Sequence, residues 1–306
     1  MNEPKKYFGI TLDPVHIGAG GYRLGRVDNT IVRDPATDVP KIPGTSLGGA
    51  IREFATVYTM KNACQSKTDE KEKRKYAEEE VKKYFGDENR QGVLRFYDGQ
   101  IIFFPVSSIQ GTVWITTKEL LEYWLCEIKD EKGETITIPE EIKDEAYAIK
   151  GINSSEPLNF GWLILDTQNI NEGKEITLPP ELDKFLKRIV IVSDKLFSHI
   201  VNDNLEVRTS VRIDPETGTA AEGALFTYEA IPRGTILGFE MVIDIDTRKG
   251  DDVKSIVNLI EATFPYLKLL GLGGMGTRGF GRVEFFTLKN NKQSNNKMEG
   301  NENDKS

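Results

Sequence analysis

The fold begins with the stretch Tyr7-Phe8-Gly9-Ile10-Thr11-Leu12, in which apolar and polar residues alternate as they do in a β-strand. A helix follows farther along the chain, and either Thr45 or Ser46 is its predicted N-cap. Its inward face is predicted to consist of Leu47, Ala50, Ile51, Phe54, Ala55 and Tyr58, which recur at helical spacing. The sequence therefore opens with one β-α unit.

A second β-α unit is predicted near the other end of the chain. Residues 237–245 form its strand and residues 251–270 its helix, with a kink expected at Pro265. The predicted inward face of this helix consists of Val253, Ile256, Val257, Ile260, Phe264 and Leu267. A final strand is predicted at 283–286. Two such units at opposite ends predict an α+β, ferredoxin-like core with insertions between them.

The sequence between these units predicts a helical insert and a first β-hairpin. Residues 62–91 contain eight basic and eight acidic residues around a thin apolar stripe, which is typical of a solvated amphipathic helix. Residues 94–104 form apolar runs around Asp98 and Gly99, a pair typical of a tight hairpin turn. We therefore interpret Asp98 as a structural turn residue.

A second hairpin is predicted at residues 207–228. Its first strand places Arg208, Ser210 and Arg212 on one face and apolar residues on the other. A basic strand face is either a solvated sheet edge or a surface that lies against a phosphate backbone. The residues alone favour the solvated edge.

Composition excludes several classes of protein. The 306 residues, 38% apolar and 29% charged, suit one elaborated domain over 1–288, with a polar, disordered tail at 289–306. No stretch is apolar enough to span a bilayer and no signal peptide is recognisable, so we expect no membrane partner and a cytoplasmic location. Two cysteines and two histidines exclude a disulfide framework and a site rich in either residue.

The net charge of −8 argues against a generic nucleic-acid binder. The acidic excess is uneven, however, since residues 126–148 carry eight acids against three bases. The segments that we expect to be functional contain Arg23, Arg26, Arg33, Lys41, Arg52, Arg208, Arg212, Arg278 and Arg282. An acidic total is therefore compatible with a basic groove.

Glycine-rich segments lie at both ends of the domain. Residues 271–282 contain G-x-G-x-x-G twice, but a predicted helix precedes this loop and a strand follows it, the reverse of a dinucleotide-binding site. Near the N-terminus, Asp28 lies in a glycine-rich loop with arginines, and His16 starts that loop. Taken singly, each is more typical of a turn or loop residue, but together the segments suit a polyanion with one acid placed to act on it.

The combination resembles a known family. The residues His16-Ile17-Gly18, Val27-Asp28-Asn29, Ile31-Val32-Arg33, Ile42-Pro43-Gly44-Thr45-Ser46-Leu47 and Arg52 resemble the N-terminal signature of RAMP-superfamily backbone subunits of type III CRISPR effector complexes. Residues 273–281 look like the glycine-rich loop of that superfamily. Residues 94–108 and 222–226 are similar to the type III-B (Cmr) backbone subunit, whereas Arg33-Asp34-Pro35 also resembles the type III-A subunit.

The resemblance implies an antiviral ribonucleoprotein. Several copies of such a subunit stack in a filament along one CRISPR RNA, beside other RAMP and effector subunits, and target single-stranded RNA pairs with the guide. The implied fold is a ferredoxin-like, RNA-recognition-motif-like palm with inserted helices and a protruding β-hairpin thumb at 207–228. The predicted RNA-binding residues are Arg26, Lys41, Ser46, Arg52, Arg208, Arg212, Gly276, Arg278, Gly279 and Arg282.

The implied activity is a metal-dependent endoribonuclease with Asp28 and His16 as catalytic residues. An A-form duplex holds the RNA 2′-hydroxyl out of line with the adjacent P–O5′ bond, so distortion by the thumb supplies the missing geometry. Asp28 either accepts the 2′-hydroxyl proton or holds Mg²⁺ or another divalent cation against the phosphate. A non-catalytic RNA-binding scaffold is the alternative, and the strand after the glycine loop disfavours a small-molecule enzyme.

Overall fold

The computed structural model describes residues 3–20, 27–63, 69–126, 128–170, 175–214, 216–244 and 253–289. The strands are β1 (Lys5–Thr11), β2 (Leu94–Phe96), β3 (Gln100–Ser108), β4 (Gly111–Thr116), β5 (Lys129–Asp130), β6 (Ala146–Lys150), β7 (Leu158–Phe160), β8 (Leu163–Leu165), β9 (Thr167–Asn169), β10 (Ile176–Thr177), β11 (Ile189–Ile191), β12 (Glu206–Ile213), β13 (Ala220–Ala230), β14 (Ile236–Ile243) and β15 (Val283–Phe286). The helices are α1 (Gly44–Ala63), α2 (Glu70–Phe85), α3 (Lys118–Leu125), α4 (Pro180–Asp183), α5 (Asp194–Asp203), α6 (Val253–Glu261) and α7 (Phe264–Leu270). Within these ranges, no helix has the length and apolar character needed to cross a membrane.

The two predicted β-α units form one sheet. β1 lies between β15 and β14 and pairs antiparallel with both, and β14 pairs antiparallel with β3. In chain order these elements run β1, α1, β3, β14, α6–α7 and β15, and in space the strands lie in the order β15-β1-β14-β3. This is the βαββαβ arrangement of a ferredoxin-like fold, so the predicted α+β class is confirmed.

The sheet extends beyond the ferredoxin-like core through β4, β11, β6 and β9. β11 pairs parallel with β4 and antiparallel with β6, which makes the nine-stranded sheet mixed. Both faces of its centre are buried: Tyr7 belongs to the apolar cluster that includes α6 and α7, whereas Phe8 packs edge-on against Trp124 of α3 at 5.5 Å. The two faces of β1 therefore face two different halves of the core.

The start of α1 differs from the predicted N-cap. The helix begins at Gly44, and both Ser46 N and Leu47 N donate to the Pro43 carbonyl, so neither Thr45 nor Ser46 is the N-cap. The Asp98 carboxylate provides the cap instead, since its Oδ1 accepts from Gly44 N at 2.8 Å. A Cβ at Gly44 would lie 2.2 Å from the Phe96 carbonyl oxygen, so only glycine fits here.

The predicted hairpin at 94–104 is wrong. β2 and β3 do not pair with each other; both pair antiparallel with β14, at Met241–Ile243 and at Ile236–Gly238 respectively. They pair one after the other along the same side of β14, and residues 97–99 separate them. Asp98 is structural, but as a helix cap rather than as a hairpin turn.

The predicted helix at 251–270 is two helices. α6 ends at Glu261 and α7 starts at Phe264, with Pro265 in its first turn. Proline lacks an N–H and cannot continue a preceding helix, so the chain breaks there instead of kinking. Ile256, Ile260, Phe264 and Leu267 are buried as predicted, whereas Val253 is exposed. Residues 251–252 lie outside the described ranges.

The predicted hairpin at 207–228 is present as β12 and β13, a two-stranded sheet separate from the main sheet. At its tip, Asp214 Oδ1 accepts from the backbone N–H groups of Glu216 and Thr217. Val207, Val211, Ile213 and Leu225 are all exposed, so this hairpin projects from the core instead of packing on it. Of the segment 62–91, residues 70–85 form α2, and the predicted tail lies outside the description except for residue 289.

Candidate nucleic-acid interface

The loop that contains Asp28 lies along the base of the β12–β13 hairpin. Asn29 N donates to the Thr227 carbonyl at 3.0 Å, and Glu229 N donates to the Asn29 carbonyl at 3.0 Å. Alternate residues of an edge strand direct their backbone groups outward, so residues 227 and 229 provide a pairing edge for the loop. Two segments about 200 residues apart in the sequence are thereby joined.

Asp28 is held by a single residue of that strand. Its Oδ2 accepts from Thr227 N at 2.8 Å and from Thr227 Oγ1 at 2.8 Å, while Asp28 N donates to the same hydroxyl oxygen at 2.9 Å. The backbone hydrogen bond from Thr227, followed by that from its hydroxyl, lowers the pKa of Asp28. The half-buried carboxylate is therefore ionised at neutral pH.

A buried ion pair fixes the next part of the loop. Arg33 donates from one terminal nitrogen to Glu229 Oε1 at 2.6 Å, and Glu229 Oε2 accepts from Ile31 N at 3.3 Å. Arg33 Nε also donates to Asn202 Oδ1 at 3.0 Å. Glu229 is only 7% exposed, so removal of Arg33 would leave a buried carboxylate without its ion-pair partner.

His16 is buried beside the same strand end. Its Nδ1 lies 2.6 Å from the Glu229 carbonyl oxygen. A carbonyl oxygen can only accept a hydrogen bond, so Nδ1 is the donor and carries a proton. The ring meets Tyr228 edge-on at 5.9 Å, and the His16 carbonyl accepts from Gly274 N at 2.9 Å. With 5% of its surface exposed, His16 is placed to join β13 to the glycine-rich loop.

The glycine-rich loop packs on the segment that contains His16. A Cβ at Gly273 would lie 2.6 Å from the His16 carbonyl oxygen, so glycine is needed there for internal packing and not for contact with a ligand. Gly276 starts a 3-10 turn that ends at Arg278, and Gly279 follows with φ of +79°. As predicted, the loop is preceded by a helix and followed by a strand, and so is not a dinucleotide site.

The predicted cations around this loop differ in how far they are paired. Arg278 donates to Tyr228 Oη at 2.8 Å and lies over the ring of that residue. Arg208 forms a hydrogen-bonded ion pair with Glu206, and its guanidinium lies 4.8 Å from the centre of the Phe280 ring. Arg282 forms a bidentate ion pair with Asp13, which raises the pKa of Arg282.

Three further predicted RNA-binding residues have no described side-chain contact that tests the prediction. Arg26 lies in the segment 21–26, outside the described residues, and the side chain of Arg212 is likewise not described. Ser46 lies in the first turn of α1, where it is half-buried and its N–H is used within the helix. These three assignments stay predictions.

A carboxylate of this chain, Asp98, already lies at the positive end of α1. Lys41 Nζ lies 2.8 Å from Asp98 Oδ2 and 3.5 Å from Asp34 Oδ2, and the hydrogen bond from Lys41 is the main cause of the lowered pKa of Asp98. The positive end of the helix therefore faces a carboxylate. A sequence motif that suits a phosphate is occupied here by Asp98, which sequence reasoning assigned to a turn.

Arg52 lies in a different environment, in a cleft of about 730 Å³ between α1, the end of α2 and β2. Its basic lining residues are Arg52, Lys82, Arg90 and Arg95, against the acids Asp87 and Glu88. Within the described part of the chain, the Arg52 guanidinium makes no hydrogen bond or ion pair, whereas Arg95 pairs with Asp244. Lys82 also pairs with Glu79, so Arg52 and Arg90 are the lining cations without an ion pair among the described residues. Arg90 and Arg95 were not predicted.

The donor set for a divalent cation is sparse. Among the described residues, no group of three or more His, Cys, Asp or Glu side chains is close enough to hold a metal. Asp28 is therefore a single carboxylate, and its two hydrogen bonds from Thr227 both use Oδ2. Such a site fits Mg²⁺ only when RNA oxygens and water complete the coordination.

Comparison with known proteins gives consistent matches. The family model of the RAMP superfamily matches residues 10–284. The CRISPR system Cmr endoribonuclease Cmr4 of Pyrococcus furiosus is 30% identical over 299 residues, covering 91% of this chain and 93% of that protein. The Cms endoribonuclease Csm3 of Methanocaldococcus jannaschii is 35% identical over 106 residues, covering 34% of this chain and 40% of that protein.

Solved structures share the fold at lower identity. A chain of the type III-B Cmr-beta complex in its apo state has a TM-score of 0.67 at 19% identity, covering 94% of this chain and 98% of that chain. Oligomeric Cmr4 from Pyrococcus furiosus has a TM-score of 0.58 at 22% identity, covering 94% and 99% respectively. The whole described architecture, including its insertions, therefore has counterparts of similar extent.

Proposed function

The chain belongs to the RAMP superfamily, and from that premise we propose that it binds CRISPR RNA as a backbone subunit of a type III-B effector complex and cleaves guide-complementary target RNA. The matches to Cmr4 confirm the predicted resemblance to the type III-B backbone subunit. We further infer a cytoplasmic filament of several copies along one guide RNA, beside other RAMP and effector subunits.

One observation carries the nuclease proposal: an ionised, half-buried carboxylate at the base of a projecting hairpin. Thr227 fixes Asp28 at the point where β13 leaves the core. RNA that is distorted by the hairpin would pass close to this carboxylate. The RNA supplies its own nucleophile, the 2′-hydroxyl, so the protein has to provide geometry and charge rather than a nucleophilic side chain.

The environment of Asp28 favours one of its two possible roles. A good general base has a pKa near the working pH, whereas the hydrogen bonds from Thr227 lower the pKa of Asp28 and weaken it as a base. The lowered pKa keeps the negative charge available for a cation. We therefore propose that Asp28 holds Mg²⁺ or another divalent cation together with phosphate oxygens and water. The bound ion would stabilise charge that develops on the phosphate.

His16 would act through position rather than on RNA. Its ring is buried and its Nδ1–H is used on the Glu229 carbonyl, so it supports the strand end that carries Thr227. The cleft that contains Arg52 is the best candidate for a guide phosphate among the predicted cations, because that guanidinium is unpaired in the described part of the chain.

A non-catalytic scaffold is the second candidate, and the sparse donor set around Asp28 favours it. A reconstituted complex with Asp28→Asn separates the two, because Asn keeps the size of Asp but neither binds Mg²⁺ strongly nor accepts a proton at neutral pH. We expect a loss of at least about 100-fold in the single-turnover cleavage rate, the lower range for loss of one catalytic group. Assembly and target affinity should stay near wild type. Undiminished cleavage in the presence of metal would leave this chain a scaffold.

A further inference from the structure

Thr227 uses each of its polar groups on the loop that contains Asp28. Its N–H and its hydroxyl both donate to Asp28 Oδ2, its hydroxyl oxygen accepts from Asp28 N, and its carbonyl accepts from Asn29 N. The hydroxyl thus closes a small ring of hydrogen bonds with the main chain and the side chain of one residue. A loop carboxylate of this kind would otherwise adopt several rotamers.

The position of Thr227 in the hairpin adds a mechanical link. Thr227 pairs with Thr209 across the two strands, so it is part of the projecting hairpin and not of the main sheet. Two residues farther on, Glu229 holds Ile31 and Arg33 of the same loop and the ring of His16. Displacement of the hairpin therefore cannot leave the Asp28 loop where it was.

We propose that Thr227 is the positioning residue that orients the Asp28 carboxylate and ties its orientation to the β12–β13 hairpin. The inference rests on the proposed nuclease function and deepens it. A target RNA that displaces the hairpin would thereby also change the orientation of the Asp28 carboxylate. Thr227 itself does not need to touch the RNA.

The test uses two replacements of Thr227 in the reconstituted complex. Thr227→Val keeps the shape of the side chain and the hydrogen bonds of the Thr227 backbone, but it loses the two hydrogen bonds of the hydroxyl, to Asp28 Oδ2 and from Asp28 N. Thr227→Ser keeps the hydroxyl. We expect Val to lower the saturated single-turnover rate by about 10- to 100-fold, as small displacements of a catalytic group do. Ser should restore it to within about threefold. The target Kd should not change in either variant, and Thr112→Val, at an exposed strand position of β4, is the matched control.

The split between rate and affinity gives a readout that a merely structural role would not move. Loss of the Thr227 hydroxyl removes two of the hydrogen bonds to Asp28, so the saturated cleavage rate should fall while the target Kd stays unchanged. Thr227→Ser keeps the hydroxyl and should rescue the rate.

The outcomes separate this inference from the proposed function. If Asp28→Asn is inactive but Thr227→Val cleaves like wild type, the positioning role is overturned and the nuclease proposal stands. If Val and Ser both lose assembly and target binding along with cleavage, Thr227 is a folding residue and the inference also falls. If Asp28→Asn itself cleaves normally, the nuclease proposal fails first.

Discussion

Asp28 and Asp98 look alike in the sequence, since each carboxylate follows one large side chain (Val27 or Tyr97) and precedes Asn or Gly. Their surroundings differ in one respect. Asp98 faces Lys41 and the first N–H of α1, so its charge is cancelled within the chain. Asp28 is held by neutral donors of Thr227, and its negative charge persists.

The comparison shows that a lowered pKa does not by itself mark a functional carboxylate. The pKa of both groups is lowered, for Asp98 chiefly by the hydrogen bond from Lys41 and for Asp28 chiefly by the backbone hydrogen bond from Thr227. An ion pair consumes the charge, whereas hydrogen bonds from neutral groups orient it and leave it available. The proposed role of Asp28 therefore depends on neutral donors holding its carboxylate.

The largest expected effect on the cleavage rate comes from replacing Asp by Asn at each of the two positions. Asp28→Asn should lower the single-turnover cleavage rate by at least about 100-fold, whereas Asp98→Asn should change it by less than about threefold. The measurement is the rate at saturating complex, with guide binding recorded for both variants. Equal losses would show that the two carboxylates are not functionally distinct.

The next effect concerns the hairpin, on which the Asp28 site depends and the Asp98 site does not. Deletion of residues 214–219 should preserve the core, because a hairpin tip buries little surface. We expect weaker cleavage and less regular cleavage positions, with guide binding retained. Mapping of the RNA products checks this, and an unaltered pattern of cuts would mean that this hairpin does not set the site.

A smaller effect should distinguish unpaired from paired cations. Arg52→Ala should weaken RNA binding at all sequences alike and reduce the slope of log K against log salt by about 1, as loss of one phosphate contact does. Lys41→Ala should leave that slope unchanged, because Asp34 and Asp98 already balance the charge of Lys41. A salt titration of guide binding for the two variants decides, and the opposite ranking would refute the assignment.

The smallest effect is on stability. Asp98→Ala removes the cap of α1 and should lower the free energy of unfolding by about 1 kcal/mol at neutral pH, reduced from larger values by solvent screening. Because the folded pKa of Asp98 is lowered, its contribution is present above the unfolded pKa and is lost as the pH falls through the folded one. Urea unfolding should therefore show a difference at pH 7 that shrinks below about pH 4; a difference independent of pH would point to packing instead.

Local patterns were sufficient to predict β1, the body of α1, β14, β15 and the hairpin at 207–228. They failed at 94–104, because apolar runs around an Asp-Gly pair describe both a hairpin and two successive strands that pair with a third one. The difference depends on which strand lies alongside, here β14, more than 100 residues away in the sequence. The predicted N-cap of α1 was wrong for the same reason, since the capping carboxylate belongs to Asp98, which is distant in the sequence from the start of the helix.

The candidate site residues Asp28 and His16 were proposed from the joint pattern and stay predictions. The residues that hold them, Thr227 and Glu229, were not predicted. The only available signal was the polar residues at alternate positions at the end of a strand, and such residues are common at strand ends. Likewise, formal charge does not reveal that Arg282 and Lys41 are paired while Arg52 is not.

The hydrogen bonds between Asp28 and Thr227 join residues 199 positions apart, and β1 completes its pairing only with β14 and β15. During synthesis, the segment with Asp28 leaves the ribosome long before its partners exist. Until residues 227–286 emerge, we expect Asp28 to lack the hydrogen bonds that orient its carboxylate and the sheet to be incomplete. A truncated product would therefore carry Asp28 without the contacts that orient its carboxylate.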